Sequence, residues 1–151
     1  MIEALRPFVG VWRGEGRGGY PTVDDFAYRE EIALVDVGKP WLSYSSRTWA
    51  LGDGRALHWE GGFWREGPGG AVEAVLALTT GHVEIDAGYV RDARLELTSS
   101  LYARTPTAKD VTEVRRLYEV DGDGLRYTLE MAALGQPLVW HLTATLDRVR
   151  T

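Results

Sequence analysis

The chain of 151 residues has the length of one domain with a substantial hydrophobic core, and we assign residues 1–151 to a single domain. Hydrophobic residues make up 44% and charged residues 26%, and the net charge of −5 argues against a nucleic-acid partner. The absence of Cys excludes disulfides and thiolate chemistry. No apolar run approaches the roughly 20 residues of a transmembrane helix, so we expect a cytoplasmic protein that has no membrane partner.

The N-terminal region combines a short helical turn with a glycine-rich strand. Residues 2–8 are predicted to form the turn, which ends near Pro7. The following strand alternates Val and Arg with Gly and Trp from Val9 to Gly16. Glycine inside a strand marks a bulge, a bend or the close approach of another segment. We therefore expect Trp12, between glycines, to fill one end of the fold.

The rest of the chain consists of short alternating segments separated by Gly, Pro and Asp. Together with the first strand they amount to about ten strands, and nearly every link is short. This pattern favours a closed, up-and-down antiparallel β-barrel over a sandwich, which usually needs long crossings. A barrel of this size is expected to enclose a small, largely apolar ligand. The later predicted strands cover residues 25–35, 41–50, 56–65, 71–79, 82–88, 94–102, 111–120, 125–133 and 139–146.

The last strand carries a histidine in an otherwise uncharged setting. Strict alternation would place His141 on one face with Val139, Thr143 and Thr145. A histidine in such a place is either a core residue that bonds a neighbour or a ligand for a metal held in a cavity. The residues alone leave both interpretations open.

Other candidates for a site have simpler explanations. His58 and His82 are expected to be surface or core residues, and the Asp121–Gly124 stretch reads as a hairpin turn rather than a calcium loop. Glu113, Arg115 and Arg116 are predicted to form a solvated stretch. We expect few acids or bases inside the barrel. No nucleophile elbow of the Gly-x-Ser-x-Gly type is present.

An ordered set of motifs resembles the nitrobindin family over essentially the whole chain. The glycine motif alone is weak, but the set that ends in Pro-Leu-x-x-His-Leu is specific. The matching segments are Gly10-x-Trp12-x-Gly14-x-Gly16, Tyr20-Pro21-Thr22, Thr80-Gly81-His82-Val83-Glu84, Ala103-Arg104-Thr105-Pro106-Thr107-Ala108-Lys109, Met131-Ala132-Ala133 and Gln136-Pro137-Leu138-x-x-His141-Leu142.

The resemblance implies a ten-stranded barrel similar to fatty-acid-binding proteins, holding heme b with mainly ferric iron. In that family a histidine of the last strand is the axial ligand, which maps to His141 as both the metal-binding and the catalytic residue. The threonine of the Tyr-Pro-Thr loop contacts the heme and maps to Thr22. The family binds nitric oxide and isomerises peroxynitrite to nitrate, so these small molecules are the implied partners.

Two other functions and one assembly remain open. A non-catalytic carrier of a fatty-acid-like ligand would need an internal cation for the carboxylate, and Arg115 or Arg116 are the nearest candidates. A nitric oxide sensor or store would also bind heme, but peroxynitrite isomerisation would not be its function. A homodimer is possible. If His141 binds iron, its other ring nitrogen needs a hydrogen-bond acceptor that the sequence does not identify.

Overall fold

A computed structural model describes residues 2–150 and contains ten antiparallel strands. Two short 3-10 helices, Arg6–Phe8 and Pro68–Gly70, lie before β1 and β5. In the described residues, no helix is long and apolar enough to cross a membrane. The strands are β1 (Gly10–Tyr20), β2 (Val23–Asp36), β3 (Trp41–Ala50), β4 (Ala56–Glu66), β5 (Ala71–Leu78), β6 (His82–Arg91), β7 (Arg94–Arg104), β8 (Val111–Asp121), β9 (Gly124–Ala133) and β10 (Val139–Arg148).

The sheet closes on itself, because each strand pairs with its neighbours in the chain and β1 pairs with β10. The prediction of an up-and-down barrel and of a short N-terminal helical turn is therefore confirmed. Because the strands alternate in direction, the connections β1–β2, β3–β4, β5–β6, β7–β8 and β9–β10 all lie at one end. We call this end the mouth, and the opposite end the closed end.

The N-terminal segment covers the closed end. Ile2, Leu5 and Phe8 are fully buried there, and Phe8 meets Trp64 edge-on at 5.8 Å between ring centroids. Trp12 donates its indole N–H to the carbonyl of Phe8 at 2.9 Å, so this indole fills the end of the barrel as expected. Arg148 lies 4.2 Å above the Trp12 ring. The closed end is therefore filled by side chains of the protein itself.

One junction in the wall is paired along only part of its length. Among the described residues, β7 and β8 pair from Arg94 to Thr98, although β7 continues to Arg104. At the end of the ladder the hydroxyl of Ser99 accepts a hydrogen bond from the amide of Val114 at 2.9 Å. We call this partly unpaired junction, towards the mouth, the β7–β8 seam.

Candidate functional site

His141 lies in a β-bulge near the mouth. The register between β10 and β9 shifts between Trp140 and Leu142, so the histidine has no direct partner on β9. Beyond the bulge, Ala144 and Leu146 are the buried residues, whereas Thr145 is exposed. The prediction that His141 shares a face with Thr143 and Thr145 is therefore wrong. The extra residue of the bulge resets the alternation and brings the ring inside, towards Tyr20 and Phe26.

The ring of His141 is fixed through one nitrogen. Nδ1 lies 2.9 Å from the carbonyl oxygen of Gly19, which can only accept, so Nδ1 carries the proton in this bond. Burial lowers the pKa of His141 below its usual 6.5, and the bond to Gly19 opposes this shift only in part. The imidazole is therefore neutral at pH 7, and its second nitrogen, Nε2, has no hydrogen-bond partner in residues 2–150. Gly19 is the acceptor that the sequence did not identify.

Aromatic residues surround the imidazole. The ring of Tyr20 meets His141 edge-on at 5.5 Å, and that of Phe26 lies at 6.4 Å. The hydroxyl of Tyr20 accepts from the amide of Ala133 at 2.8 Å and donates to the carbonyl of Met131 at 3.0 Å. Tyr20 thus ties the β1–β2 turn to the end of β9. Sequence reasoning assigned Tyr20 no role, although it belongs to the Tyr-Pro-Thr motif.

The glycines of β1 leave space for these aromatic rings. A Cβ atom at Gly16 would lie 2.4 Å from the ring of Tyr28, and one at Gly18 would lie 2.4 Å from that of Phe26. Both distances are shorter than any real Cβ contact, so no side chain fits without moving the rings. The close approach of aromatic side chains from β2 therefore explains Gly16 of the glycine motif and the following Gly18, whereas a Cβ atom at Gly14 would meet the backbone of Thr145 on β10.

Thr22 lies at the mouth, in the tight turn between β1 and β2, and its side chain is exposed. It belongs to the same turn region as Tyr20, whose ring contacts His141. Its predicted contact with heme stays a prediction.

A charged cluster occupies the interior below the mouth, against the expectation of few internal acids and bases. Arg116 is only 4% exposed, so its prediction as a solvated residue is wrong, whereas Arg115 on the other face is exposed. Alternation along β8 places one of these adjacent arginines inside and the other outside. The guanidinium of Arg116 donates to Glu84 at 2.8 and 2.9 Å and to Glu60 at 2.6 Å.

The ionisation of this cluster is set by burial and by Arg116. Burial would raise the pKa of Glu60, but the charge of Arg116 and the hydrogen bond from His58 together outweigh it and hold that pKa well below its usual range. Burial raises the pKa of Asp86 well above its usual range, and the neighbouring Glu84 adds to the shift. Both carboxyl oxygens of Asp86 lack a hydrogen-bond partner in the part of the chain that the structure describes. We infer that Asp86 is protonated at neutral pH.

A second internal group joins Glu30 to two tyrosines. Glu30 is 3% exposed, and its carboxylate accepts hydrogen bonds from Tyr127 at 2.6 Å and from Ser46 at 2.5 Å. The hydroxyl of Tyr28 lies 2.7 Å from that of Tyr127. Burial raises the pKa of Glu30 from 4.5 to about 7, although both hydrogen bonds oppose the shift.

The other two histidines have different surroundings. His82 is buried, and its ring nitrogens contact the hydroxyl of Thr80 at 2.8 Å and the carbonyl of Lys109 at 2.7 Å. It connects two loops at the mouth, as expected of a core residue. His58 is half-buried, and its Nε2 lies 2.8 Å from Glu60, so it faces the interior. The sequence prediction missed this pairing, although the two residues are two apart on one strand and must share a face.

The mouth fits a planar, apolar group that carries a metal. His141 offers a neutral imidazole with a free Nε2, and the neighbouring rings of Tyr20 and Phe26 offer apolar surface. Among residues 2–150, no cluster of three or more His, Asp or Glu side chains could hold a bare metal ion. A metal would therefore need to bring most of its own ligands, as a porphyrin does.

Comparisons with known proteins agree with this geometry. The chain is 48% identical to "Peroxynitrite isomerase 1" of Rhodococcus jostii over 97% of this chain and 83% of the relative. It is 46% identical to "Peroxynitrite isomerase 1" of Mycobacterium tuberculosis over 99% of this chain and 95% of the relative.

A solved structure and a family model extend the similarity to the fold. The crystal structure of Rv2717c from M. tuberculosis superposes with a TM-score of 0.91 and 43% identity, covering 99% of this chain and 100% of that one. Residues 1–148 match the family described as "THAP4-like, heme-binding beta-barrel domain". The resemblance to nitrobindins is thereby confirmed, and the chain belongs to this family of heme-binding β-barrels.

Proposed function

We propose that this single barrel domain binds heme b with ferric iron at His141 and isomerises peroxynitrite to nitrate. The observation that carries the proposal is the imidazole of His141, which is held through Nδ1 and has Nε2 free at the mouth. The names of the relatives, 41–48% identical, support the reaction. The cytoplasm remains the expected compartment.

Each residue at the mouth has a distinct part in this proposal. His141 would be the sole protein ligand, Phe26 and Tyr20 would pack against the porphyrin, and Thr22 would contact it from the β1–β2 turn. When bound, the heme would supply a Lewis acid and an electron reservoir for the small-molecule substrate.

The remaining residues act through orientation and charge. The carbonyl of Gly19 holds the proton of His141 at Nδ1, which leaves the Nε2 lone pair free and would make it available to iron. Because burial lowers the pKa of His141, the imidazole stays neutral and available to the metal to a lower pH than a free histidine would. The aromatic rings of Tyr20 and Phe26 pack against the imidazole and would give the bound group an apolar surface.

The deciding experiment replaces His141 by Ala in protein purified with added hemin. We expect His141→Ala to lose the Soret band and the isomerase activity, whereas His82→Ala should keep both if it folds. A matched His58→Ala should keep the Soret band, since His58 is engaged by Glu60. An unchanged spectrum and rate in His141→Ala would remove both the ligand assignment and the proposed reaction.

A fatty-acid-type carrier function receives less support. The only internal arginine of the two candidates, Arg116, is already bonded to Glu60 and Glu84, and Asp86 lies 3.8 Å from it. A ligand carboxylate would have to displace one of these partners and enter a cluster that already has more acids than bases.

Reversible nitric oxide binding remains part of the proposal, and it predicts a shift of the Soret band with nitric oxide. A shift without isomerisation would favour a sensor or store.

We also propose a homodimer, which an apolar patch on the outer wall supports. Phe63, Val75 and Leu101 are between 40% and 50% exposed. Phe63 pairs with Val75, Val75 with Ile85, and Ile85 with Leu101. These side chains therefore lie in one row across β4, β5, β6 and β7. Sedimentation should give a dimer for the native chain and a monomer for Val75→Glu. A native monomer at high concentration would contradict this assembly.

A further inference from the structure

A series of aromatic side chains runs from His141 into the core. Phe26 lies 6.4 Å from the ring of His141, and Tyr28 lies 6.0 Å from Phe26, measured between ring centroids. Tyr28 then meets Tyr127 hydroxyl to hydroxyl at 2.7 Å. A short, closely packed path thus joins the mouth to two buried phenols, and the proposed isomerisation uses neither of them.

Tyr127 has a built-in proton acceptor. Its hydroxyl donates to Glu30 at 2.6 Å, while burial raises the pKa of Tyr127 well above 10 and keeps the phenol protonated. A protonated phenol is hard to oxidise unless its proton leaves together with the electron. Glu30 can take that proton, because its pKa of about 7 leaves part of the population ionised and basic at neutral pH.

Tyr44 offers a comparison inside the same barrel. It is buried and donates to Glu60 at 2.7 Å, so it too has a carboxylate partner. Arg116 and His58 together hold the pKa of Glu60 far below its usual range despite burial, which makes this carboxylate a very weak base. Geometry alone would make the two tyrosines equivalent, but only Tyr127 has an acceptor that can keep its proton.

We propose that Tyr127, with Glu30 as its proton acceptor and Tyr28 as the bridge to His141, is a redox-active tyrosine that reduces an oxidised heme. A peroxide such as hydrogen peroxide or peroxynitrite supplies the oxidising equivalents. Tyr127 loses one electron towards the heme through Tyr28 and Phe26. Its phenolic O–H bond breaks, and a new O–H bond forms on the carboxylate of Glu30, so the products are a neutral tyrosyl radical and a protonated Glu30. The function is to move one oxidising equivalent away from the heme site to Tyr127.

This inference rests on the proposed heme site, so the test has one arm with heme and one without. In the first arm, heme-loaded protein is mixed with hydrogen peroxide, frozen and examined by electron paramagnetic resonance. We expect a tyrosyl signal that falls by at least about tenfold in Tyr127→Phe and in Glu30→Gln, since a positioned base accelerates proton transfer by at least this factor. Tyr44→Phe is the matched control and should keep the signal.

In the second arm, photochemically generated ruthenium(III) tris-bipyridine oxidises the heme-free protein. The radical should again collect at Tyr127, because its hydroxyl donates directly to the carboxylate of Glu30, and it should disappear in the same two variants. Circular dichroism checks that each variant folds. A missing Soret band would overturn the proposed heme site, while the photochemical arm still tests the tyrosine. A radical that persists in Tyr127→Phe or Glu30→Gln, or that is lost in Tyr44→Phe, overturns the inference.

Discussion

Glu30 is an acid whose burial has a measurable consequence for stability. Its pKa is raised from 4.5 to about 7 in the folded chain, so the folded state holds the proton more tightly than the unfolded state. The stability that this proton contributes is complete below pH 4.5 and is lost as the pH rises through about 7.

We therefore expect Glu30→Gln to remove part of the pH dependence of unfolding. The amide keeps the size of the side chain but cannot ionise, so the variant should gain stability relative to the native chain between about pH 5 and about pH 8. Urea unfolding of the heme-free protein at both pH values measures this. An equal difference between variant and native chain at the two pH values would contradict the buried, titrating carboxyl.

Thr22 offers a second test at the scale of one side chain. Because it is exposed in a turn, Thr22→Val should leave the barrel folded and weaken heme retention by on the order of 1 kcal/mol, the value of one hydrogen bond. Transfer of heme to an apoprotein acceptor measures the retention. Complete loss of heme would mean that Thr22 has a larger role than a contact.

At the scale of a strand, the glycines of β1 determine where the aromatic rings of β2 can lie. Gly18→Ala places a Cβ atom 2.4 Å from the ring of Phe26 and 2.8 Å from Leu142, next to His141. We expect a loss of about 1–3 kcal/mol in unfolding free energy from overpacking, together with a shifted Soret band. Gly52→Ala is the control, because no atom lies within 4 Å of its Cβ position and both properties should stay unchanged.

The strands could be predicted from the sequence because their ends carry turn residues. Gly52-Asp53-Gly54 separates β3 from β4, and the predicted limits of both strands agree with the observed ones to within one residue. The inward position of His141 could not be obtained in the same way. Alternation is a rule for regular strands, and the bulge at this residue arises from how β10 pairs with β9, which one segment does not reveal. The pattern singled out His141 as a candidate, and only the family resemblance implied that it is a heme ligand.

At the scale of the whole molecule, the interior cluster around Arg116 could not be predicted from the sequence. The identity of a charged residue does not show whether its side chain faces solvent or an internal partner. Arg115 and Arg116 are adjacent and identical, yet only Arg116 is buried. Its partners Glu60 and Glu84 lie on β4 and β6, far away in the chain. Only closure of the barrel brings the three together, so the charge pairing is a property of the complete fold.

This pair of arginines gives a matched test of the cluster. Arg116→Met leaves Glu60 and Glu84 buried without their cation, and we expect a loss of about 3–5 kcal/mol in unfolding free energy. Arg115→Met changes the exposed neighbour and should remain within about 0.5 kcal/mol of the native chain. Chemical denaturation of both variants side by side measures the difference. Similar losses would show that the internal charges do not depend on Arg116.

The β7–β8 seam also has a kinetic consequence. Beyond Thr98, β7 and β8 share no backbone hydrogen bonds within residues 2–150, so they can separate there without breaking any. The barrel wall can therefore open transiently at the seam while the other strand pairs stay intact. Amide hydrogens between Leu101 and Arg104 that do not pair with β6 should therefore exchange with solvent faster than those of the fully paired β2. A rigid, flat macrocycle could then enter sideways as the rim widens, and its rate of uptake would follow the opening of the seam rather than the width of the mouth at rest.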